Sequence, residues 1–284
     1  MRGRTSLPAD ARMGKHRSEC TDEPQAGPRM TAELQAPVRS LGSWAIGVIG
    51  IAGLIAIIAG LYASPVALVA VGIVIAAAVG IGWPHFLRIP AKKTLAAVIA
   101  LPGAGAAVAA GLTPAPGYLD WTPAFVALGM MAVFVVQLVR GTGQAQRLES
   151  TLGCCAGVLL SCLGAGWIAG ARFNGVREML LVAAVSAAVA LLAGLIRWPD
   201  SIIAPLGIVL AGLAGPLAGL VLSDIAVLPA AVFGVVVGAV LASFRRLATL
   251  RGAPLNFPAA LSMGLAPVSA VGSLAYFIDK LLIY

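Results

Sequence analysis

The fold class predicted by this sequence is an all-α polytopic transmembrane bundle of about nine spans, and three observations predict it. Apolar residues fill 60% of the 284 positions and charged residues only 11%, against about 25% charged in a soluble domain. Nine apolar stretches follow one another, each about the 20 residues that an α-helix needs to cross the hydrocarbon core. Sixteen of the 19 lysines and arginines fall in alternate gaps between those stretches. A transmembrane barrel would alternate apolar and polar residues along each segment, and these runs do not.

The spans are placed at 41–62, 65–83, 94–112, 121–139, 148–170, 178–196, 202–222, 226–243 and 257–282. The third, TLAAVIALPGAGAAVAAGL, is rich in Ala and Gly and is expected to break at Pro102, sheltered by its neighbours. With the N-terminus inside, the cytoplasmic gaps hold seven basic residues before span one, then Arg88, Lys92 and Lys93, Arg140 and Arg147, Arg197, and Arg245, Arg246 and Arg251. Only Arg172, Arg177 and Lys280 fall outside. That asymmetry is the positive-inside signal, and an odd span number then places the C-terminus outside. The net charge of +8 is assigned to topology and to anionic lipid at the cytoplasmic face rather than to nucleic acid. Tyr62, Trp83, Trp121, Trp198 and Tyr276 lie near span ends, where interfacial aromatics belong.

Residues 1–40 form a polar N-terminal tail, and 41–284 the membrane domain. The first 29 residues lack an apolar run and cannot fold alone; nor do they form a signal peptide, which needs a short apolar core after its charges. Two readings stand: a disordered cytoplasmic tail, or a true start at Met30 (Met13 is a further option). Without residues 1–29 the inside-to-outside count is still 10 to 3.

The order of landmarks suggests an internal duplication. Trp83-Pro84 closes span two as Trp198-Pro199 closes span six; Pro102 breaks span three as Pro216 breaks span seven; Pro123 opens span four as Pro229 opens span eight, each followed by an exit arginine. The repeats would be 41–147 and 148–256, parallel and related by an axis along the membrane normal, with 257–282 as an extra helix. Against this, two Trp-Pro pairs are unsurprising in a chain with 18 prolines, and spans one and five match poorly.

Candidate chemistry is sparse. None of the 11 carboxylates falls mid-span: five lie in the tail, Asp120, Glu149, Glu178, Asp200 and Asp224 at span edges, and Asp279 near the end of span nine. A proton or ion path through buried carboxylates is therefore not predicted. His16 and His85 are too isolated for a metal site, with His85 expected to be solvated. Cys155 and Cys162 share a helix face, and like Cys154 they read as small apolar fillers; Cys20 lies in the tail. Glycine pairs such as Gly60 and Gly72 or Gly234 and Gly238 fit close helix packing, and no dinucleotide or P-loop context surrounds them. No catalytic residue, metal ligand or cofactor is expected. The anion-contact candidates are Arg140 and Arg147, in the cytoplasmic stretch QLVRGTGQAQRLESTLG at 137–153, because two guanidinium groups and glycine-rich backbone can hold a phosphate or carboxylate. The alternative is that Arg147 and Glu149 simply flank span five, with Glu149 favoured by the helix dipole.

That stretch, the Trp-Pro turn and the Lys92-Lys93 pair resemble permease-like multi-pass membrane proteins of high-GC Gram-positive bacteria over residues 41–284. The resemblance implies no substrate and no site residues.

The expected function is permease-like transport of a small solute or lipid across the bacterial inner membrane. Its candidate pathway runs between the two halves past helix breaks at Pro102, Gly103, Gly105, Gly215, Pro216 and Gly219. The alternative is an accessory or scaffolding subunit that binds another membrane protein; an enzyme acting on lipid-linked substrates ranks last. A polar cavity between the halves would favour transport, and a dry packed core the scaffold.

Overall fold

A computed structural model describes residues 44–89, 92–139, 147–173, 177–196, 199–222, 227–251 and 255–282. These form ten helices: α1 (Trp44–Ala63), α2 (Pro65–Leu87), α3 (Lys92–Leu112), α4 (Thr122–Val139), α5 (Arg147–Leu163), α6 (Ala165–Arg172), α7 (Glu178–Leu195), α8 (Asp200–Leu222), α9 (Val227–Leu250) and α10 (Phe257–Leu282). Taking α5 and α6 as one span, the described residues contain nine helices long and apolar enough to cross a membrane. The chain is therefore an integral, multi-pass membrane protein built as an all-α bundle.

Local chemistry sets several boundaries. Ser64 alone separates α1 from α2; its hydroxyl accepts from the Ala67 amide at 3.0 Å while Pro65 opens the new helix, an N-cap with proline in the first turn. At its other end α2 runs past Trp83-Pro84 to Leu87, correcting the expected stop at 83. The stop comes at Arg88, whose φ of 56° is left-handed. Its amide bonds the His85 carbonyl and the Ile89 amide bonds that of Pro84, which is the Schellman closure.

Pro102 and Pro216 were expected to interrupt spans three and seven. Both lie inside continuous helices, α3 and α8. A mid-helix proline removes one donor, and neighbouring helices make that loss tolerable in lipid. The interruption falls instead at Gly164, between α5 and α6. There the Trp167 amide bonds the Gly164 carbonyl at 3.3 Å, one residue tighter than the α pattern. The Leu163 carbonyl released by that shift accepts the Ser273 hydroxyl of α10 at 2.7 Å.

The expected extra helix, α10, is the centre of the bundle. It packs on α1, α2, α5, α6, α7 and α9, and 78% of its spanning window is buried, more than any other span. Lipid tails are as apolar as leucine, so helices associate here through close packing and hydrogen bonds rather than the hydrophobic effect. α10 uses both means. A Cβ on Gly166 of α6 would overlap the Ser273 and Gly272 backbone, and a Cβ on Gly82 of α2 would overlap the Pro258 carbonyl. The buried Trp167 indole donates to the Val268 carbonyl at 2.8 Å.

Around α10 the helices fall into two sets. α3 packs on α2, α4, α5 and α6, whereas α7, α8 and α9 pack on one another. Span five thus sits with the first set, so packing does not divide at 147/148 where the duplication was placed. α7 and α9 pack together whereas α2 and α4, their expected counterparts, share no such interface. Arg197 and Trp198 lie outside the described residues.

Candidate functional site

Interhelical contacts sort the helix ends into two faces. The Trp83 indole near the end of α2 donates to the Gly153 carbonyl near the start of α5 at 2.8 Å. Arg251 just beyond α9 lies 4.8 Å from the Phe86 ring and donates to the Phe86 carbonyl at 3.3 Å. Arg245 of α9 donates to the Gly194 carbonyl at the end of α7 at 2.6 Å. One face therefore gathers the ends of α2, α7 and α9 with the start of α5; it is the basic face. The opposite face gathers the ends of α3 and α6 with the turn between α1 and α2.

Three arginines close the C-terminal ends of helices other than their own. On the opposite face Arg172, which ends α6, uses Nη1 for the Ala110 and Thr113 carbonyls of the α3 end at 2.8 and 2.9 Å. Arg245 does the same for α7, and Arg251 for α2. The last four carbonyls of a helix lack intrahelical partners and carry partial negative charge, so a guanidinium is a fitting cap.

Two cavities lie at these ends. The first, about 260 Å³, is lined on the opposite face by Leu61, Ser64, Pro65, Val66, Val108, Leu112, Arg172 and Arg177, among others. The second, about 240 Å³, is lined on the basic face by residues including Gly47, Leu191, Gly194, Phe244, Arg245, Thr249 and Met263. Both are apolar troughs with arginine at one end. In the first, Arg172 also lies 4.8 Å from the Tyr118 ring, and Arg177 5.5 Å from that of Tyr62. Below the first cavity a void of about 10 Å³ between Gly72, Gly164, Trp167 and Ser269 is at the lower limit for one water molecule.

The predicted pathway residues are not brought to one place. Pro102 packs on Gly129 of α4, where a Cβ would stand 2.8 Å from its Cγ. Gly103 faces Ser161 and Ala76, and Gly105 faces the Phe125 ring. Gly215 lies against the Ala230 carbonyl on the other side of the bundle, with Ser186 Oγ 3.4 Å from where its Cβ would be. Gly219 is buried and Pro216 half-buried on the same helix, α8. Because α3 and α8 belong to different sets, these residues line two separate interfaces among the described residues. Arg140 and the side chain of Arg147 lie outside the described residues. The ends of their stretch are tied by the Gln137 amide donating to Ser150 Oγ at 2.8 Å.

Other assignments move. Trp83 and Tyr276 are buried against neighbouring helices, whereas Trp121 and Tyr62 are 60% exposed. His85 is half-buried, its Nδ1 2.8 Å from the Ile81 carbonyl. Cys154 and Cys162 are buried. Among the described residues no three His, Cys, Asp or Glu side chains gather as a metal site requires. The residues that sequence missed are Arg172, Arg177 and Arg245: they were counted as topological charge. The available signal was that two of the three outside cations stand five residues apart.

No protein-family model, no curated protein and no solved structure matches this chain.

Proposed function

We propose that this membrane protein is permease-like and handles an amphiphile taken from the bilayer, rather than a hydrated solute passing along the bundle axis. The observation that carries the reading is the pair of apolar, arginine-ended cavities near opposite faces, with the axis between them filled by α10. An apolar trough suits an acyl or prenyl chain, and an arginine at its end suits an anionic head. In this reading the basic face is cytoplasmic, by the positive-inside rule, and touches anionic lipid. The N-terminus is inside, the C-terminus outside, and the host is the bacterial cell membrane.

A non-transporting accessory subunit is the second reading, and the tight seating of α10 favours it. Its contact face would be α4, whose spanning window is only 17% buried and which exposes Leu128, Met131, Phe134 and Leu138.

Proteoliposomes separate the two. Purified protein is expected to speed movement of a fluorescent anionic lipid between leaflets, read by a membrane-impermeant quencher, without releasing a trapped hydrophilic dye. Dye release would refute the amphiphile reading, and movement of neither probe would leave the accessory role.

A further inference from the structure

We propose that the cavity between the α1–α2 turn and the ends of α3 and α6 binds a membrane lipid with an anionic phosphate head, its chain in the trough and its head on Arg172 and Arg177. The proposal deepens the amphiphile reading by naming the site and the ligand class.

Charge placement is the first argument. The positive-inside count puts 16 of the 19 basic residues in the other set of gaps along the sequence, yet two of the three exceptions line this one cavity. Insertion alone gives no reason for them, since outside positive charge opposes the topology.

Donor geometry is the second. Arg172 is held in place by the two α3 carbonyls on Nη1 and by the Tyr118 ring. Its Nε and Nη2 donate to no described residue, and the Arg177 guanidinium makes no hydrogen bond or ion pair to one. A fixed guanidinium and a second, exposed one line the same cavity, and guanidinium groups suit phosphate oxygens.

Wall chemistry is the third. Apart from Ser64 and the two arginines, the lining is aliphatic: Leu61, Val66, Val69, Val108, Leu112 and Ile168 contribute most of it. Val66 and Leu112 are more than three-quarters exposed, so the trough is reached sideways from the lipid. At about 260 Å³ it falls just below the usual range for whole small-molecule ligands, which fits a head and the upper part of one chain.

The test is native mass spectrometry of the full chain released from nanodiscs of phosphatidylcholine containing phosphatidylglycerol. Wild-type protein is expected to retain phosphatidylglycerol in preference to phosphatidylcholine. Arg177→Ala should weaken that retention roughly tenfold, and Val66→Trp, which fills the trough mouth, should weaken it comparably. Both positions are exposed, so folding should survive; a thermal melt checks this. Arg246→Ala, an exposed cation on the basic face, should change nothing. Unchanged retention in Arg177→Ala and Val66→Trp, or equal retention of both lipids, would overturn the site. Binding of inorganic phosphate that depends on Arg177 but ignores Val66→Trp would overturn the lipid assignment in favour of a free anion. Retention without leaflet-to-leaflet movement keeps the site and removes transport; movement without retention does the reverse.

Discussion

Gly166→Ala adds one methyl group to a bundle of 284 residues, and we expect it to be among the most damaging changes of its size. The new Cβ would overlap the amide nitrogen and Cα of Ser273 and the carbonyl carbon of Gly272. All three are backbone atoms, so no rotamer change relieves the clash, and α6 must move off α10. Overpacking of this kind costs about 1–3 kcal/mol. The displacement also stretches the Ser273–Leu163 and Trp167–Val268 hydrogen bonds, each worth about 0.5–1.5 kcal/mol. The combined loss is about 2–6 kcal/mol, which lowers the unfolding midpoint by roughly 5–15 °C. The matched control is Gly207→Ala, where the nearest atom to the new Cβ is the Ala193 Cβ at 4.0 Å, an ordinary contact. Thermal unfolding in one detergent, followed by tryptophan fluorescence and by the monodisperse fraction after heating, measures both. If Gly166→Ala melts together with Gly207→Ala and the wild type, the close seating of α6 on α10 is wrong.

Ser273→Ala leaves the Leu163 carbonyl without its donor and should cost about 1–3 kcal/mol, measured by the same melts. Ser186 is fully buried and its hydroxyl has no partner among the described residues, so Ser186→Ala should be neutral or stabilising. The double substitution Pro102→Ala and Pro216→Ala should keep the fold and raise the melting midpoint, because both helices already run through these positions and each regains a donor; loss of folding would refute continuous helices there. A reporter active only in the cytoplasm should be active when fused after Arg251 and silent after Tyr284, and the opposite pattern would invert the proposed topology.

The spans were legible because bilayer thickness imposes a length on every apolar run, and charge then orders the gaps. Where the runs pack was not legible. α10, read only as an extra helix, carries Pro267, Ser262, Ser269 and Ser273; in the bundle those hydroxyls are buried and bonded to carbonyls. Prolines misled for a related reason. Pro102 and Pro216 are the stronger breakers by propensity, yet the chain breaks at Gly164, where a tertiary partner on α10 receives the released carbonyl. The sequence LGAGW shows two glycines there but not the serine 109 residues later that answers them. The three capping arginines were visible as charges, while their targets depend on which helix ends meet.

Those caps give the charged residues a second task after insertion. Each guanidinium reaches carbonyls at the C-terminal end of another helix, and such carbonyls exist on only one side of the membrane for a given helix orientation. An inverted α7 would present amide donors to Arg245 in place of the Gly194 carbonyl, and the same holds for α3 with Arg172 and α2 with Arg251. Orientation errors are thus penalised twice: once by moving charge across the bilayer, and again by repulsion between like-charged helix ends and arginines when the bundle closes. A mis-inserted copy would stay open at its periphery, with unsatisfied polar groups exposed at three corners, the kind of surface that membrane quality-control proteases can distinguish from a closed bundle.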